Sequence, residues 1–308
     1  MPSRKRTDLG QFRLTLPATS ANLGPAFDAA ALALSLFLKV RAKPADEFSI
    51  RARGRDAEIC GQVQNHLILT TYREVLQGEN KLVIPLALHI ENEIPIGKGC
   101  GSSAAARLAG IGLANHFGRL RWSRSRIVGE AAVREHHPDN AAACWMGGLA
   151  IARMSSELEA QIARITPKGK WRLLLVVPAE SLPTEEARKV LPEEYPRADV
   201  VSNIQNSMLL LTAFSQGRRD LLAAALADRI HQPYRAPLCP LLPALQPLTR
   251  SKGVLGVALS GAGPSVLMFL DPKADVNRTK KHVRAQLKGQ NLYAELIATW
   301  ITSRGARF

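Results

Sequence analysis

Aromatic residues are scarce in this 308-residue chain, at 5% of the total, too thinly spread to supply the stacking platforms that single-stranded nucleic acid requires. Cysteine is scarcer still: Cys60, Cys100, Cys144 and Cys239 lie far apart, with no C-x-x-C pair. That spacing argues against a disulfide framework or a zinc site and for reduced thiols. No run approaches the roughly 18 apolar residues of a membrane span. The N-terminal MPSRKRTDLGQF is basic but lacks the apolar core of a signal peptide, so the expectation is a cytoplasmic protein with no membrane partner. Repeats and low-complexity tracts are absent.

Acidic residues also run short, 26 against 41 Lys and Arg, for a net charge of +15. Such a surplus raises nucleic acid as a partner. The basic residues are interleaved with acidic ones, however, and cluster only at Arg4-Lys5-Arg6, 119–126 and 280–284. The expectation is no nucleic-acid partner, since an anionic small substrate explains the charge equally well. Length, with 46% apolar and 22% charged residues, suits two ordinary globular domains, each with its own core.

The stretch 95–106, PIGKGCGSSAAA, carries Gly97, Gly99 and Gly101 at alternate positions, then hydroxyls at Ser102 and Ser103, then small residues able to start a helix. Glycine admits conformations and close approaches that a Cβ forbids, so the loop can aim several N–H groups at one anion. A helix starting near Ser102 adds its unsatisfied N–H groups and the positive end of its dipole. Two familiar glycine loops fit poorly. A Walker loop needs Lys directly before its Ser or Thr, whereas Lys98 sits inside this one, and a Rossmann fingerprint needs a wider final glycine spacing. A phosphate cradle is the expectation, and a flexible strand-to-helix turn the plain alternative.

Periodicity and breakers predict a strand over 12–16, a turn-rich passage over 17–34, a strand pair over 34–42 and 48–52, a helix over 64–76, and a long strand over 82–94 leading into the loop. Helices follow over 104–117 and 123–134, the second capped by Ser123, then a strand over 149–154. The polar segment 155–170 suggests a boundary, giving domains 1–160 and 161–308. Beyond it the sequence predicts a strand over 173–177, helices over 199–214 and 220–230, a Pro-rich passage, and two strands joined by SGAGP within 254–270. A helix over 275–287 and a strand over 293–299 close an α/β or α+β arrangement.

Three segments, PATSANLGPAFD (17–28), PIGKGCGSSAAA (95–106) and LSGAGPSVLMF (259–269), resemble in this order the three motifs of the GHMP family of small-molecule kinases. HPDNAAACWMGG (137–148), PTEEARKVLP (183–192) and DRIHQPYR (228–235) are similar to segments of the homoserine kinase branch of that family. The resemblance implies an α+β, two-domain GHMP kinase fold, with an N-terminal ribosomal S5 domain 2-like α/β domain that binds nucleotide and a C-terminal ferredoxin-like α/β domain. It also implies ATP as co-substrate, Mg2+, and L-homoserine converted to O-phospho-L-homoserine in threonine biosynthesis, with a homodimer as a family-level expectation. The alternatives are a GHMP kinase for another small alcohol and a non-catalytic ligand sensor.

By the same resemblance, Pro95, Ile96, Gly97, Lys98, Gly99, Cys100, Gly101, Ser102 and Ser103, with Asn65, hold the nucleotide. Ser102 and Glu130 hold Mg2+, an ion that takes few protein oxygens and keeps phosphate and water ligands. Arg188 and Arg235 hold the substrate carboxylate, where a guanidinium fork gives paired hydrogen bonds. Asn22 and Asp28 take the ammonium and hydroxyl end, and His137, Asn140 and Thr184 complete the pocket. Asp139 is a candidate catalytic base; in the alternative the hydroxyl attacks directly, oriented by Asn140, and Arg188 counts with these two among the catalytic residues. One departure from the family pattern has a physical cost: Ala26 stands where Gly is usual, and its Cβ is strained if the backbone there needs positive φ.

Overall fold

The computed structural model describes residues 10–308, and the basic cluster Arg4-Lys5-Arg6 lies outside them. The first unit comprises β1 (Phe12–Asn22), β2 (Ala26–Pro44), β3 (Ser49–Gly54), α1 (Ala57–Cys60), α2 (Leu67–Gly78), β4 (Leu86–Asn92), α3 (Ser102–Phe117), α4 (Arg124–Glu135), α5 (Asp139–Met146), β5 (Leu149–Met154) and β6 (Ala160–Ile165). Its six strands run in the order β3-β4-β2-β5-β6, with β1 paired to β2. Every ladder is antiparallel except that of β3 with β4.

The passage 17–34, expected as turn, is strand on both sides of a short turn at 23–25. Its small residues are packing residues. Ala18, Ala21, Ala30, Ala31 and Ala33 are buried, which lets α3 and α5 lie close over β1 and β2. The expected pairing of the second and third strands does not form, because β4 inserts between them: β2 pairs with it antiparallel and β3 parallel. The helix at 102 begins where the glycine loop ends, and Ser123 caps α4 by accepting from the Arg126 N–H at 3.1 Å.

The second unit comprises β7 (Arg172–Val177), α6 (Thr184–Lys189), α7 (Arg197–Gln216), α8 (Leu222–Ala225), α9 (Gln232–Arg235), α10 (Leu241–Leu245), β8 (Val254–Leu259), β9 (Val266–Leu270), α11 (Val276–Lys288) and β10 (Glu295–Trp300). The sheet order β10-β7-β9-β8 is antiparallel throughout. With α7 and α11 as crossovers this is the split β-α-β-β-α-β of the ferredoxin-like fold, as the family resemblance implies. The helix expected over 220–230 stops at Ala225. The Asp228 carboxylate accepts from the N–H groups of Ile230, His231 and Gln232 at 2.9, 3.0 and 2.6 Å and starts a new turn, α9.

Strand β6 pairs with β5 along its length and so belongs to the first sheet. We therefore propose that the division expected at 160/161 lies in residues 166–171. The tail returns across it: Thr15 and Arg307 exchange backbone hydrogen bonds of 2.8 and 3.1 Å, and the Phe308 ring packs on Phe12 and Trp145 at 5.7 Å. One buried apolar cluster continues from the first sheet to Trp171, Phe214 and Phe269 on the second, and another lies between the far face of the second sheet and α10 and α11. Among the described residues, no helix is long and apolar enough to cross a membrane.

Candidate active site

Gly97, Gly99 and Gly101 hold φ angles of 70°, 72° and 70°, left-handed values that favour glycine. At Gly99 a Cβ would collide with the Ser260 carbonyl, and at Gly101 with the Thr19 hydroxyl. The loop ends at Gly101, the N-cap of α3, so the first-turn N–H groups of that helix lack intrahelical acceptors. The three glycine-bearing segments bind one another here. Thr19 N–H donates to the Cys100 carbonyl at 3.0 Å, and Ser260 Oγ donates to the Gly99 carbonyl at 2.7 Å. Asn22 Nδ2 donates to the Gly261 carbonyl at 2.9 Å. Positive φ in the first segment falls at Asn22, Leu23, Gly24 and Asp28, not at Ala26, so the alanine departure carries no strain.

Beyond the loop lies a small cavity of about 100 Å³ that brings together Asn22, Asp28, His137, Asp139, Asn140, Thr184, Arg188 and Arg235 with Gly97, Gly99, Cys100, Gly101, Ser102 and Ser103. Arg188 reaches both oxygens of Asp28, at 2.7 and 2.8 Å. His137 Nδ1 meets Asp139 Oδ1 at 2.6 Å, and the same oxygen accepts from the Asn140 N–H at 2.6 Å. Burial lowers the His137 pKa, but the Asp139 hydrogen bond and charge outweigh it, so the net shift is upward. Thr19 Oγ1 donates to Asn140 Oδ1 at 2.6 Å and fixes which way that amide points.

Arg235 is 1% exposed. Its Nε donates to the Ala187 carbonyl at 2.9 Å and one amino nitrogen to His231 Nδ1 at 3.2 Å. Among the described residues no carboxylate pairs with it. Burial, then the nearby Arg188 charge, lower its pKa to about 10. A buried cation without a counter-ion is costly, and an anionic ligand in the cavity relieves that cost.

A larger cavity of about 530 Å³ opens on the other side of Gly97, Ser102 and Ser103, walled by Leu38, Ile68, Ile90 and Ile94 with Asn65 and His66 at its rim. Apolar walls with a few polar groups suit a heterocyclic base. The two cavities meet at the glycine loop, sharing Gly97, Ser102 and Ser103.

Residues 66–148 match the GHMP kinases N terminal domain and residues 210–289 the GHMP kinases C terminal domain. A homoserine kinase of Solibacter usitatus is 44% identical over 84% of this chain and 85% of its own, and one of Synechococcus is 35% identical over 93% and 94%. The chain belongs to the homoserine kinase family of GHMP kinases. The fold agrees: the crystal structure of homoserine kinase from Cytophaga hutchinsonii superposes with a TM-score of 0.80 at 20% identity, covering 100% of this chain and 99% of that one.

Within this GHMP kinase three of the residues expected at the nucleotide and metal sites, Glu130, Lys98 and Pro95, line neither of these two cavities. Glu130, expected to hold Mg2+, is 6% exposed and does not line either cavity. Its two oxygens pair with Arg126 and Arg134 at 2.6 Å each, one turn away on either side. Five residues on, Glu135 lines the small cavity, and its Oε1 accepts from Ser103 Oγ and Arg107 Nε at 2.6 Å each. Lys98 turns away from the loop's concave side and donates to the Ala179 carbonyl of the second unit; with Pro95 it lines a separate cleft between the units. Ile96 touches both that cleft and the larger cavity. The sequence alone pointed neither to Glu135, whose partner Ser103 lies 32 residues away on another helix, nor to His231 beside Arg235.

Proposed function

We propose that the protein transfers the γ-phosphoryl group of ATP to the side-chain hydroxyl of L-homoserine, giving O-phospho-L-homoserine for threonine biosynthesis. The observation that carries the reading is a receptor for a zwitterion, made of Arg188, Arg235 and Asp28, opening onto the glycine loop. The Arg188–Asp28 pair is the protein's own version of an amino acid's two charges. A free amino acid exchanges with it, its carboxylate facing Arg188 and Arg235 and its ammonium facing Asp28. The same exchange excludes polyols and sugars, which offer neither charge.

The larger cavity holds the base of ATP, with Asn65 at its rim, and the N–H groups of the loop and of α3 cradle the phosphates. Asn140, fixed by Thr19, orients the substrate hydroxyl. That oxygen attacks the γ-phosphorus, the bond to the β–γ bridging oxygen breaks, and ADP leaves. Asp139 Oδ1 is already engaged by His137 and the Asn140 N–H, so Asp139 serves here to hold His137 and Asn140, and the hydroxyl proton passes to a phosphate oxygen. Ser103 and Glu135 are a hydroxyl and a carboxylate in contact beside the loop, hard oxygen donors of the kind Mg2+ selects, and they replace the Ser102 and Glu130 pair. When bound, the ion supplies charge neutralisation at the β- and γ-phosphates.

Assayed for ADP release against homoserine, shikimate, mevalonate and galactose, the protein is expected to turn over homoserine alone; no turnover with homoserine sinks the assignment. Glu135→Gln is expected to raise the Mg2+ concentration for half-maximal activity by about tenfold or more. Glu130→Gln leaves that concentration unchanged but, by weakening a buried bridge, costs about 1–3 kcal/mol of stability. A magnesium titration and a thermal melt of both variants check the pair, and the reverse pattern would restore Glu130 as the metal ligand.

A further inference from the structure

His231 is fully buried and belongs to no part of the chemistry above, yet one of its ring nitrogens contacts Arg235, which lines the substrate pocket. Its Nε2 lies 2.8 Å from the Gly24 carbonyl and 3.5 Å from Asp228 Oδ2. Its Nδ1 lies 3.2 Å from an amino nitrogen of Arg235. A carbonyl and a carboxylate oxygen only accept here, and a guanidinium only donates. The partners therefore fix the tautomer, with the proton on Nε2 and the Nδ1 lone pair aimed at Arg235. The ring stacks on Phe27 at 5.3 Å and 26°, and both Arg235 and Arg188 lie over the same phenyl ring, at 5.2 and 5.5 Å.

From this geometry we propose that His231 is a positioning residue that aims the Arg235 guanidinium at the substrate carboxylate, an inference that rests on the homoserine reading. The guanidinium is held at Nε by Ala187 and at one amino nitrogen by His231. Two fixed points set the plane of a rigid planar group and leave its other amino nitrogen for the cavity that Arg235 lines. A neutral acceptor matters at this position. A carboxylate there would orient Arg235 but also neutralise it, leaving little attraction for a ligand anion. Asp228 does not play that part, because its oxygens are committed to the backbone N–H groups that start α9. Burial keeps the imidazole neutral, lowering its pKa to about 4, so the acceptor persists across the neutral range.

The two ring nitrogens can be tested separately. His231→Asn keeps an acceptor near the Nδ1 position, whereas His231→Gln keeps a donor near the Nε2 position and the link to Gly24 but loses the contact with Arg235. His231→Gln is expected to raise the KM for homoserine about tenfold or more, in line with a lost hydrogen bond to a charged group, with the KM for ATP within about twofold of wild type. His231→Asn is expected to stay near wild type. In an Arg235→Met background His231→Gln should add nothing further, since its effect passes through the missing guanidinium. A role in folding alone predicts the opposite order, Asn worse than Gln, or equal rises in both KM values, and either overturns the proposal. So does full additivity with Arg235→Met. Wild-type protein inactive on homoserine sinks the functional reading itself, whereas active wild type with an unaffected His231→Gln sinks only this inference.

Discussion

Arg235→Met is expected to raise the KM for L-homoserine by about 10²–10³-fold, the scale for losing one partner of a buried charged contact, while leaving the melting temperature unchanged or higher. The two halves of this expectation have one cause. Arg235 is buried at 1% exposure with a carbonyl and a neutral imidazole as its fixed partners, and Arg188 adds like charge nearby. Without ligand, the folded protein bears a desolvated cation whose cost two hydrogen bonds and the Phe27 ring offset only in part, and an apolar side chain of similar length removes that cost. With homoserine bound as proposed, the same cation meets the carboxylate in a site shielded from water. Steady-state kinetics and a thermal melt of one variant read both halves. A large loss of stability with unchanged KM would show Arg235 to be a structural residue.

Gly101→Ala is expected to abolish turnover, with kcat/KM down about 10³-fold or more, whereas Gly97→Ala loses about tenfold. The two glycines share a φ of 70°, so both alanines incur the left-handed penalty of about 1–2 kcal/mol. They differ in what the new methyl meets. At position 97 it approaches the tip of the Ser181 side chain at 3.1 Å, which can turn aside. At position 101 it enters the space of the Thr19 hydroxyl and lies 3.2 Å from Asn140 Oδ1, the pair we propose to orient the attacking group. Comparing the variants by kcat/KM and by melting temperature separates backbone strain from displacement of Thr19. Equal losses in both would mean that φ alone decides and the Thr19–Asn140 contact is incidental.

The glycine loop and the helix behind it were legible because they depend on local chemistry: alternate glycines, a hydroxyl pair, a run of alanines. The second sheet was legible for a similar reason, its strands being continuous apolar runs. Failures came where long-range packing decided the outcome. Residues 17–34 look like turn because they are small, and they are small because two helices lie on that part of the sheet. Glu130 and Glu135 sit on one helix, but five residues at about 100° each turn the second roughly 140° away from the first. Arginines at i−4 and i+4 mark Glu130 as a paired side chain, a signal readable from sequence. Nothing local says that Lys98 leaves its loop for the Ala179 carbonyl, or that His231 reaches Arg235 on one side and the first glycine turn on the other.

The return of residues 301–308 to the first sheet has a mechanical consequence. Besides the apolar cluster and the hydrogen bonds that the two units share, the second unit is tied along the chain at two places, through 166–171 and through the segment after β10, where Thr302 N–H bonds the Ala33 carbonyl at 3.0 Å. A body hung from one tether can twist and swing in any direction, whereas one hung from two can rotate easily only about the line that joins them. Twisting of one unit against the other is thereby restrained, like a page held at both ends of its spine. The tail and the linker together hold Arg188 and Arg235 opposite the glycine loop.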